Sequence, residues 1–263
     1  MVIEASDIKN RHRGDTFREL VSLWVSNDLC RISYNDKKHS CWLNGNMLYD
    51  EPTLEWYNRY PYEYNFALFG NTVPDLENSS SWIFWSRRPS LLEECRSNIL
   101  PYYDRDIESI FLGKIENNVQ HHKRTQQDWS ESVEVFEMPI QGPAGDVYKY
   151  SQLEYLKKIK SSKYGLCLSG YGPKCNREIE LMGLGTVPII SPMVDLTYYN
   201  PLEEGVHYIK VDSPNDVKDT IDSISIKHWK EMSNNCLEWY NKNASPRGSF
   251  NTTIEILEKN NSI

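Results

Sequence analysis

The chain has 263 residues, of which 39% are hydrophobic and 25% charged, a composition typical of a folded protein. This length is enough for two compact domains of about 110 to 140 residues, each with its own core. The net charge of −8 disfavours a general nucleic-acid binder, because phosphate backbones favour a basic surface. The sequence contains no run of about 18 apolar residues and no basic-then-apolar leader, so we expect a cytoplasmic protein without a membrane span.

The amino-terminal half predicts an α/β domain with long loops. Apolar residues recur at helical spacing over 16–25, and a second helix is expected over 91–99. Short strands are expected at 30–34, 47–49, 66–69 and 82–85. Aromatic residues are dense here, and most are expected in the core, while a few are candidates for a platform on which a sugar ring stacks. The whole set of aromatic residues comprises Trp42, Tyr49, Trp56, Tyr57, Tyr60, Tyr62, Tyr64, Trp82 and Trp85.

The carboxyl-terminal half alternates predicted strands with predicted helices, which is the pattern of a parallel sheet covered by helices. Strands are expected at 109–113, 164–168, 187–190 and 207–211. Helices are expected at 151–159, 176–184, 215–224, 227–242 and 250–259, with a turn at 245–248 before the last one. Six cysteines are scattered without a CxxC pair, so we interpret them as thiols.

The segment 163–191, KYGLCLSGYGPKCNREIELMGLGTVPIIS, carries the strongest functional signal. It predicts a strand, a glycine-rich loop, a short helix, a tight turn and a second strand. The glycines allow backbone N–H groups to approach a ligand, and the start of the helix offers unpaired donors to an anion. Arg177 lies in the first helical turn, where a cation is unfavourable to the helix dipole unless an external anion binds there. Glu180 lies on the same face one turn later. A cation for phosphate and a carboxylate for ribose hydroxyls indicate a nucleotide-sugar site.

The set Arg177, Glu180, Gly185 and Pro188 resembles the donor-binding domain of GT-B glycosyltransferases, and especially exostosin-like enzymes, including those of large viruses of chlorella-type algae. The resemblance covers about 109–211 and is weaker upstream. It implies an α/β fold of GT-B type, with two Rossmann-like domains, a cleft between them and carboxyl-terminal helices that cross back to the first domain. We assign 1–105 to acceptor binding, 106–245 to nucleotide-sugar binding and 246–263 to the returning helix.

The resemblance also implies an inverting, metal-independent transfer from a UDP-sugar, with xylose as the first candidate, to a hydroxyl of a glycan acceptor. Neither a cofactor nor a metal is expected besides the donor. Arg124, or its neighbour Lys123, lies in the loop expected after the strand at 109–113 and is expected over the diphosphate together with Arg177. Glu180 is expected on the ribose. The nucleotide is also expected to contact the loop and the helix start at Ser169, Gly170, Tyr171 and Asn176.

The catalytic base requires a carboxylate or histidine near the acceptor hydroxyl. Asp75 is the first candidate, because it follows the strand predicted at 66–69 and ligands lie beyond the carboxyl ends of strands. An aspartate that only begins a turn is the structural alternative. Asp50 and Glu51 are the next candidates, followed by His39.

Two other patterns have residue types found in metal sites. Asp104-Arg105-Asp106 resembles the Asp-x-Asp of GT-A enzymes, but it does not end a buried strand and is better interpreted as a connector. His121 and His122 are adjacent, so their side chains diverge, and a solvated basic segment is favoured. Two other classes of function also stay open: a nucleotide-sugar hydrolase or epimerase, and a non-catalytic glycan-binding protein.

Overall fold

A computed structural model describes residues 3–8, 14–35, 40–49, 65–70, 77–141, 149–261 and 263. The chain divides into two compact units, each with its own sheet. The first unit comprises Met1–Ser90, Leu196–Pro201 and Tyr240–Ile263, and the second comprises Leu91–Asp195 and Leu202–Trp239. The predicted α/β architecture is confirmed, while the functional domain limits proposed at 105 and 245 stay a prediction.

The first unit contains a six-stranded sheet in the order β2-β1-β3-β4-β5-β6. Its strands are β1 Ile3–Ile8, β2 Cys30–Asn35, β3 Ser40–Leu43, β4 Asn46–Tyr49, β5 Ala67–Phe69 and β6 Ser79–Ser81. Only β3 runs against its neighbours, because it forms a hairpin with β4. Asn44 and Gly45 connect the hairpin with φ values of 52° and 81°, the left-handed conformations that this two-residue turn requires.

The core of the first unit is aromatic and includes a helix from each end of the chain. Helix α1, Gly14–Ser26, contributes Trp24, whose Nε1 donates to Ser249 Oγ at 2.9 Å. Helix α8, Pro246–Lys259, contributes that serine and also Thr253, whose Oγ1 accepts from Trp82 Nε1 at 2.8 Å. The predicted return of the carboxyl-terminal helix to the first domain is therefore confirmed.

Three expectations about this unit were wrong. Residues 82–85 form no strand: β6 ends at Ser81, and the four residues that follow are buried in an irregular segment. Trp82 and Trp85 therefore belong to the core and are not a sugar platform, whereas the side chains of the other aromatic candidates lie outside the described residues. The segment 245–248 is not a turn before the last helix but its start, because Ser245 caps the helix and Pro246 occupies its first turn.

The second unit contains an entirely parallel five-stranded sheet in the order β11-β10-β9-β7-β8. Its strands are β7 Ile107–Leu112, β8 Val135–Glu137, β9 Ser162–Cys167, β10 Val187–Ile190 and β11 Ile209–Lys210. The associated helices are α2 Pro89–Cys95, α3 Asn118–Arg124, α4 Gln152–Lys160, α5 Asn176–Gly183, α6 Asp216–Ser223 and α7 Ile226–Asn243, of which α2 begins and α7 ends in residues of the first unit. Within the described ranges, no helix is both long and apolar enough to cross a membrane.

The order of these strands creates a switch point between β7 and β9. From β7 the chain proceeds to β8 on one side, and from β9 it proceeds through β10 to β11 on the other. The connections that leave β7 and β9 therefore separate at the carboxyl ends of these two neighbouring strands. In open parallel sheets this is the place where ligands bind.

Particular residues determine where α4 begins, how closely α5 packs on β9 and how the chain turns into β10 near the switch point. Ser151 and Glu154 form a reciprocal cap at the start of α4, with hydrogen bonds of 2.8 and 3.2 Å. Gly165 of β9 lies directly under Leu181, so the missing side chain allows α5 to pack closely on the strand. Gly185, with a φ of +67°, makes the predicted tight turn into β10.

Candidate functional site

The site lies at the switch point, where two arginines from separate segments converge on one aromatic ring. Arg124 ends α3, which follows β7, and Arg177 lies in the first turn of α5, which follows β9. Their guanidinium carbons lie 5.8 and 4.4 Å from the centre of the Phe111 ring. The structure therefore brings together the two cations that the sequence predicted over a diphosphate.

Arg177 bridges the ends of the two strands. Its Nη2 donates to the carbonyl of Leu112 at 2.9 Å, and its Nη1 donates to that of Leu168 at 3.5 Å. A Cβ at Gly113 would lie 3.0 Å from Nη2, so this glycine leaves room for the guanidinium. The side chain is buried, and its Nε has no hydrogen-bond partner among the described residues.

Arg124 connects α3 to the glycine-rich loop. Its Nε donates to the carbonyl of Ser169 at 2.9 Å, and its Nη1 donates to that of Lys114. Burial, followed by repulsion from Arg177, lowers its pKa to about 10, so the guanidinium stays charged at neutral pH. The residue was expected in a loop, but Asn117 accepts from Gln120 N–H at 2.9 Å and thereby starts a helix there.

The acceptors of both arginines are carbonyl oxygens. In the part of the chain that the structure describes, neither guanidinium forms an ion pair with a carboxylate. Two buried like charges that contact the same ring raise each other's electrostatic energy, and the Glu178 carboxyl group, which acts on both, offsets part of this repulsion. Bidentate arginines suit phosphate oxygens in particular, so a bound phosphate would add favourable contacts to both.

The glycine-rich loop lies against the same cluster. Ser169 is buried, and its Oγ has no hydrogen-bond partner among the described residues. A Cβ at Gly170 would lie 2.8 Å from Cys175 Sγ, so the loop is closely packed at this point. The carbonyl of Tyr171 accepts from Lys123 Nζ at 3.3 Å, which gives Lys123 a role in positioning the loop.

Lys174, at the end of this loop, was missed by the sequence analysis. It is only 1% exposed, and burial lowers its pKa to about 8, an effect that Asp195 opposes. The sequence feature that could have identified it is a positively charged residue between the loop glycines and the start of the helix. A buried lysine there adds a third positive charge to the loop region.

The first turn of α5 contains a second group that was missed. Asn176 is the first residue of the helix, as predicted. The N–H of Cys175 donates to Glu178 Oε2 at 2.8 Å, which gives Glu178 the position of an ordinary helix cap. This carboxyl group is nevertheless 0% exposed, and burial raises its pKa to about 7.

Glu180, predicted to hold the ribose, is also buried one turn after Arg177. Its Oε1 accepts from Gln152 Nε2 at 3.3 Å, so α4 helps to orient the carboxylate. Asp75, predicted as the base, lies outside the described residues, and so do its alternatives Asp50, Glu51 and His39.

The two patterns that resemble metal sites are not part of this cluster. Asp104-Arg105-Asp106 precedes β7 and is therefore at the opposite end of that strand from Arg177. His121 and His122 are exposed on α3. Among the described residues, no three histidine, cysteine or acidic side chains are grouped as a metal site, and the expectation that no metal is needed stays a prediction.

Comparisons with known proteins found similarity only at the level of structure. No family model and no curated protein matches the sequence. A solved α1,3-fucosyltransferase is similar with a TM-score of 0.49 and 11% identity, covering 100% of this chain and 90% of the other. HepE of Anabaena in complex with UDP and glucose has a TM-score of 0.42 and 9% identity, covering 80% of this chain and 71% of the other. A function for this chain must therefore be argued from its own residues.

Proposed function

We propose that this chain is a GT-B glycosyltransferase that moves a sugar from a UDP-sugar to a hydroxyl of a glycan acceptor. The observation that carries the proposal is the pair of buried guanidinium groups of Arg124 and Arg177 at the switch point of a parallel sheet. Their acceptors are carbonyl oxygens, so they fit a ligand that brings its own negative charge. A nucleoside diphosphate is such a ligand.

In this proposal the diphosphate lies beside both arginines and against the start of α5. Glycosyl transfer separates the sugar from the nucleotide, and negative charge develops on the leaving diphosphate. Fixed cations and helix N–H groups stabilise that charge more in the transition state than in the ground state. Each such contact supplies a few kcal/mol of barrier lowering, as donors in comparable sites do. Glu180 accepts the ribose hydroxyls.

Several finer features of the proposal come from the resemblance to exostosin-like enzymes. These are the uridine nucleotide, xylose as the sugar, metal independence and inversion at the anomeric carbon. In an inverting transfer, Asp75 removes the proton from the acceptor hydroxyl. The oxygen of that hydroxyl attacks the anomeric carbon from the face opposite the diphosphate. One displacement forms the new glycosidic bond and breaks the bond to the nucleotide, so the configuration inverts.

The first test is calorimetric titration with UDP and with GDP in the presence of EDTA. We expect UDP to bind the wild-type protein more tightly than GDP does. We expect Arg177→Ala to weaken UDP binding by at least about 100-fold, because it removes one of the two cations of the site. Lys218→Ala is the matched control, since it removes an exposed positive charge on α6 of the same unit and is expected to leave the affinity unchanged.

The alternatives give different results in the same assays. A wild-type protein that binds neither nucleotide would contradict the proposal and favour the non-catalytic glycan-binding protein. If the nucleotide binds, incubation with UDP-xylose and no acceptor separates the remaining classes. Rapid release of free sugar indicates a hydrolase, and an isomeric UDP-sugar indicates an epimerase.

A further inference from the structure

Four charged side chains are buried together in the proposed donor site. Arg124 and Arg177 carry positive charges, and Glu178 and Glu180 lie on the same helix as Arg177. If both carboxyl groups are ionised, these four charges sum to zero. Lys174, at the end of the loop, interacts with Asp195, and this pair adds no net charge when both groups are ionised. Such a site offers little net attraction to a diphosphate, whereas protonation of Glu178 or Glu180 would leave it with a single positive charge.

Glu178 is the carboxyl group least suited to carry a charge. Its side chain has no solvent exposure, Oε2 accepts one hydrogen bond from Cys175 N–H, and Oε1 has no partner among the described residues. An ionised carboxylate with one hydrogen bond in the interior is costly, because burial removes its hydration and the charge of Arg177 offsets only part of the loss. A protonated carboxyl group in the same place avoids most of that cost.

Charged and titratable groups surround Glu178 on several elements. Arg177 and Glu180 lie on its own helix, Cys175 precedes that helix, Cys167 lies on β9 and Arg124 approaches from α3. Cys167 is buried and Cys175 is half-buried, and desolvation raises the pKa of both thiols and keeps them neutral. The charges that act on Glu178 are therefore those of the two arginines and of Glu180.

We propose that Glu178 takes up a proton from solvent when a nucleoside diphosphate binds, so that the donor site becomes more positive as its ligand enters. This inference rests on the proposed donor site. In the ligand-free protein, burial raises the pKa of Glu178 to about 7, so both protonation states are populated near neutral pH. The negative charges of the diphosphate would raise this pKa further, because they disfavour a second anion nearby.

The experiment is calorimetric titration of the intact protein with UDP near pH 8, in two buffers with different ionisation enthalpies. The difference between the two measured enthalpies gives the number of protons taken up on binding. Glu178→Gln is the matched variant, because it keeps an acceptor for Cys175 N–H and mimics the neutral carboxyl group. The phosphate of UDP titrates near pH 6, and this contribution is common to both proteins.

We expect the wild-type protein to take up close to one proton more than Glu178→Gln does. We also expect its UDP affinity to fall up to about tenfold per pH unit above pH 7, while that of the variant falls much less. Equal proton uptake by both proteins would overturn the inference and would leave the donor site intact, since UDP would still bind. Absence of UDP binding to the wild-type protein would overturn the donor site and this inference together.

A second measurement uses only the wild-type protein and does not depend on folding of the variant. Carboxyl NMR of protein labelled with ¹³C-glutamate follows each side chain against pH. We expect one glutamate to titrate near pH 7 without UDP and at a higher pH with UDP. Glutamates that all titrate below about pH 5 in both states would overturn the inference.

Discussion

The two ends of the parallel sheet in the second unit both bury arginines, but they satisfy them differently. At the amino end, Arg105 donates to five acceptors: the carbonyls of Leu100, Lys160, Ser162 and Leu184 and the hydroxyl of Thr186. At the carboxyl end, Arg124 and Arg177 donate to two carbonyls each, and Arg177 Nε has no partner among the described residues.

This difference separates a structural arginine from arginines suited to a ligand. All three guanidinium nitrogens of Arg105 donate to the protein, and these bonds join the segment before β7 to the starts of β9 and β10. Arg124 and Arg177 lie together, repel each other and keep donor capacity unused. Burial alone therefore does not distinguish these arginines; what sets Arg124 and Arg177 apart is their proximity to each other together with the unpaired Nε of Arg177.

The largest expected effect is a loss of stability when Arg105, at the amino end of the parallel sheet, is replaced. Arg105→Ala leaves several buried acceptors without a donor and removes a guanidinium 5.1 Å from the centre of the Trp229 ring. We expect the free energy of unfolding to fall by at least about 3 kcal/mol, because each buried unsatisfied group costs about 1–3 kcal/mol. Urea denaturation followed by circular dichroism measures this loss.

The control for Arg105→Ala is Lys218→Ala, an exposed change in the same unit that is expected to stay within about 0.5 kcal/mol of wild type. The folded fraction of Arg105→Ala is expected to bind UDP as wild type does. An Arg105→Ala protein of normal stability that had lost UDP binding would contradict this comparison. It would show that Arg105 serves ligand binding and not stability.

The second effect concerns stability at the carboxyl end as a function of pH. Burial raises the pKa of Glu178 from 4.5 to about 7, so between these values the folded state holds a proton that the unfolded state has released. Stability should therefore fall as pH rises through this window, by at most about 1.4 kcal/mol per pH unit from this group. Thermal or urea unfolding at several pH values is the measurement.

Glu178→Gln should flatten the fall in stability, since glutamine does not titrate. The comparison is between the slopes of the two proteins, so that titration of other groups cancels. Parallel curves for wild type and variant would show that Glu178 is ionised in the folded protein throughout this range.

The smallest expected effect concerns UDP binding at the carboxyl end of the sheet when Arg124 is replaced by lysine. Arg124→Lys keeps the positive charge but loses the planar fork that donates to Ser169 and Lys114. We expect UDP binding to weaken by about tenfold, less than for Arg177→Ala, because part of the charge attraction remains. Calorimetry under the conditions of the wild-type titration measures it, and an unchanged affinity would place the diphosphate away from Arg124.

Local patterns in the sequence were sufficient for most of the second unit. The strand at 187–190 and the helix that begins at Asn176 were predicted with their observed limits or within one residue, because apolar runs and glycines mark such elements strongly. The prediction failed at 82–85, where an apolar run is buried in an irregular segment, and at Arg124, where a cap at Asn117 starts a helix in an expected loop.

The sequence by itself determined the α/β class and the strand, loop and helix around Arg177, because hydrophobic periodicity and turn residues act over short distances. Only the tertiary structure decided that β7 and β9 are neighbours and that Arg124 therefore contacts the same ring as Arg177. The burial of Lys174 and Glu178 also depends on that packing. The order of strands in a sheet is set by contacts between distant segments, and no local pattern specifies it.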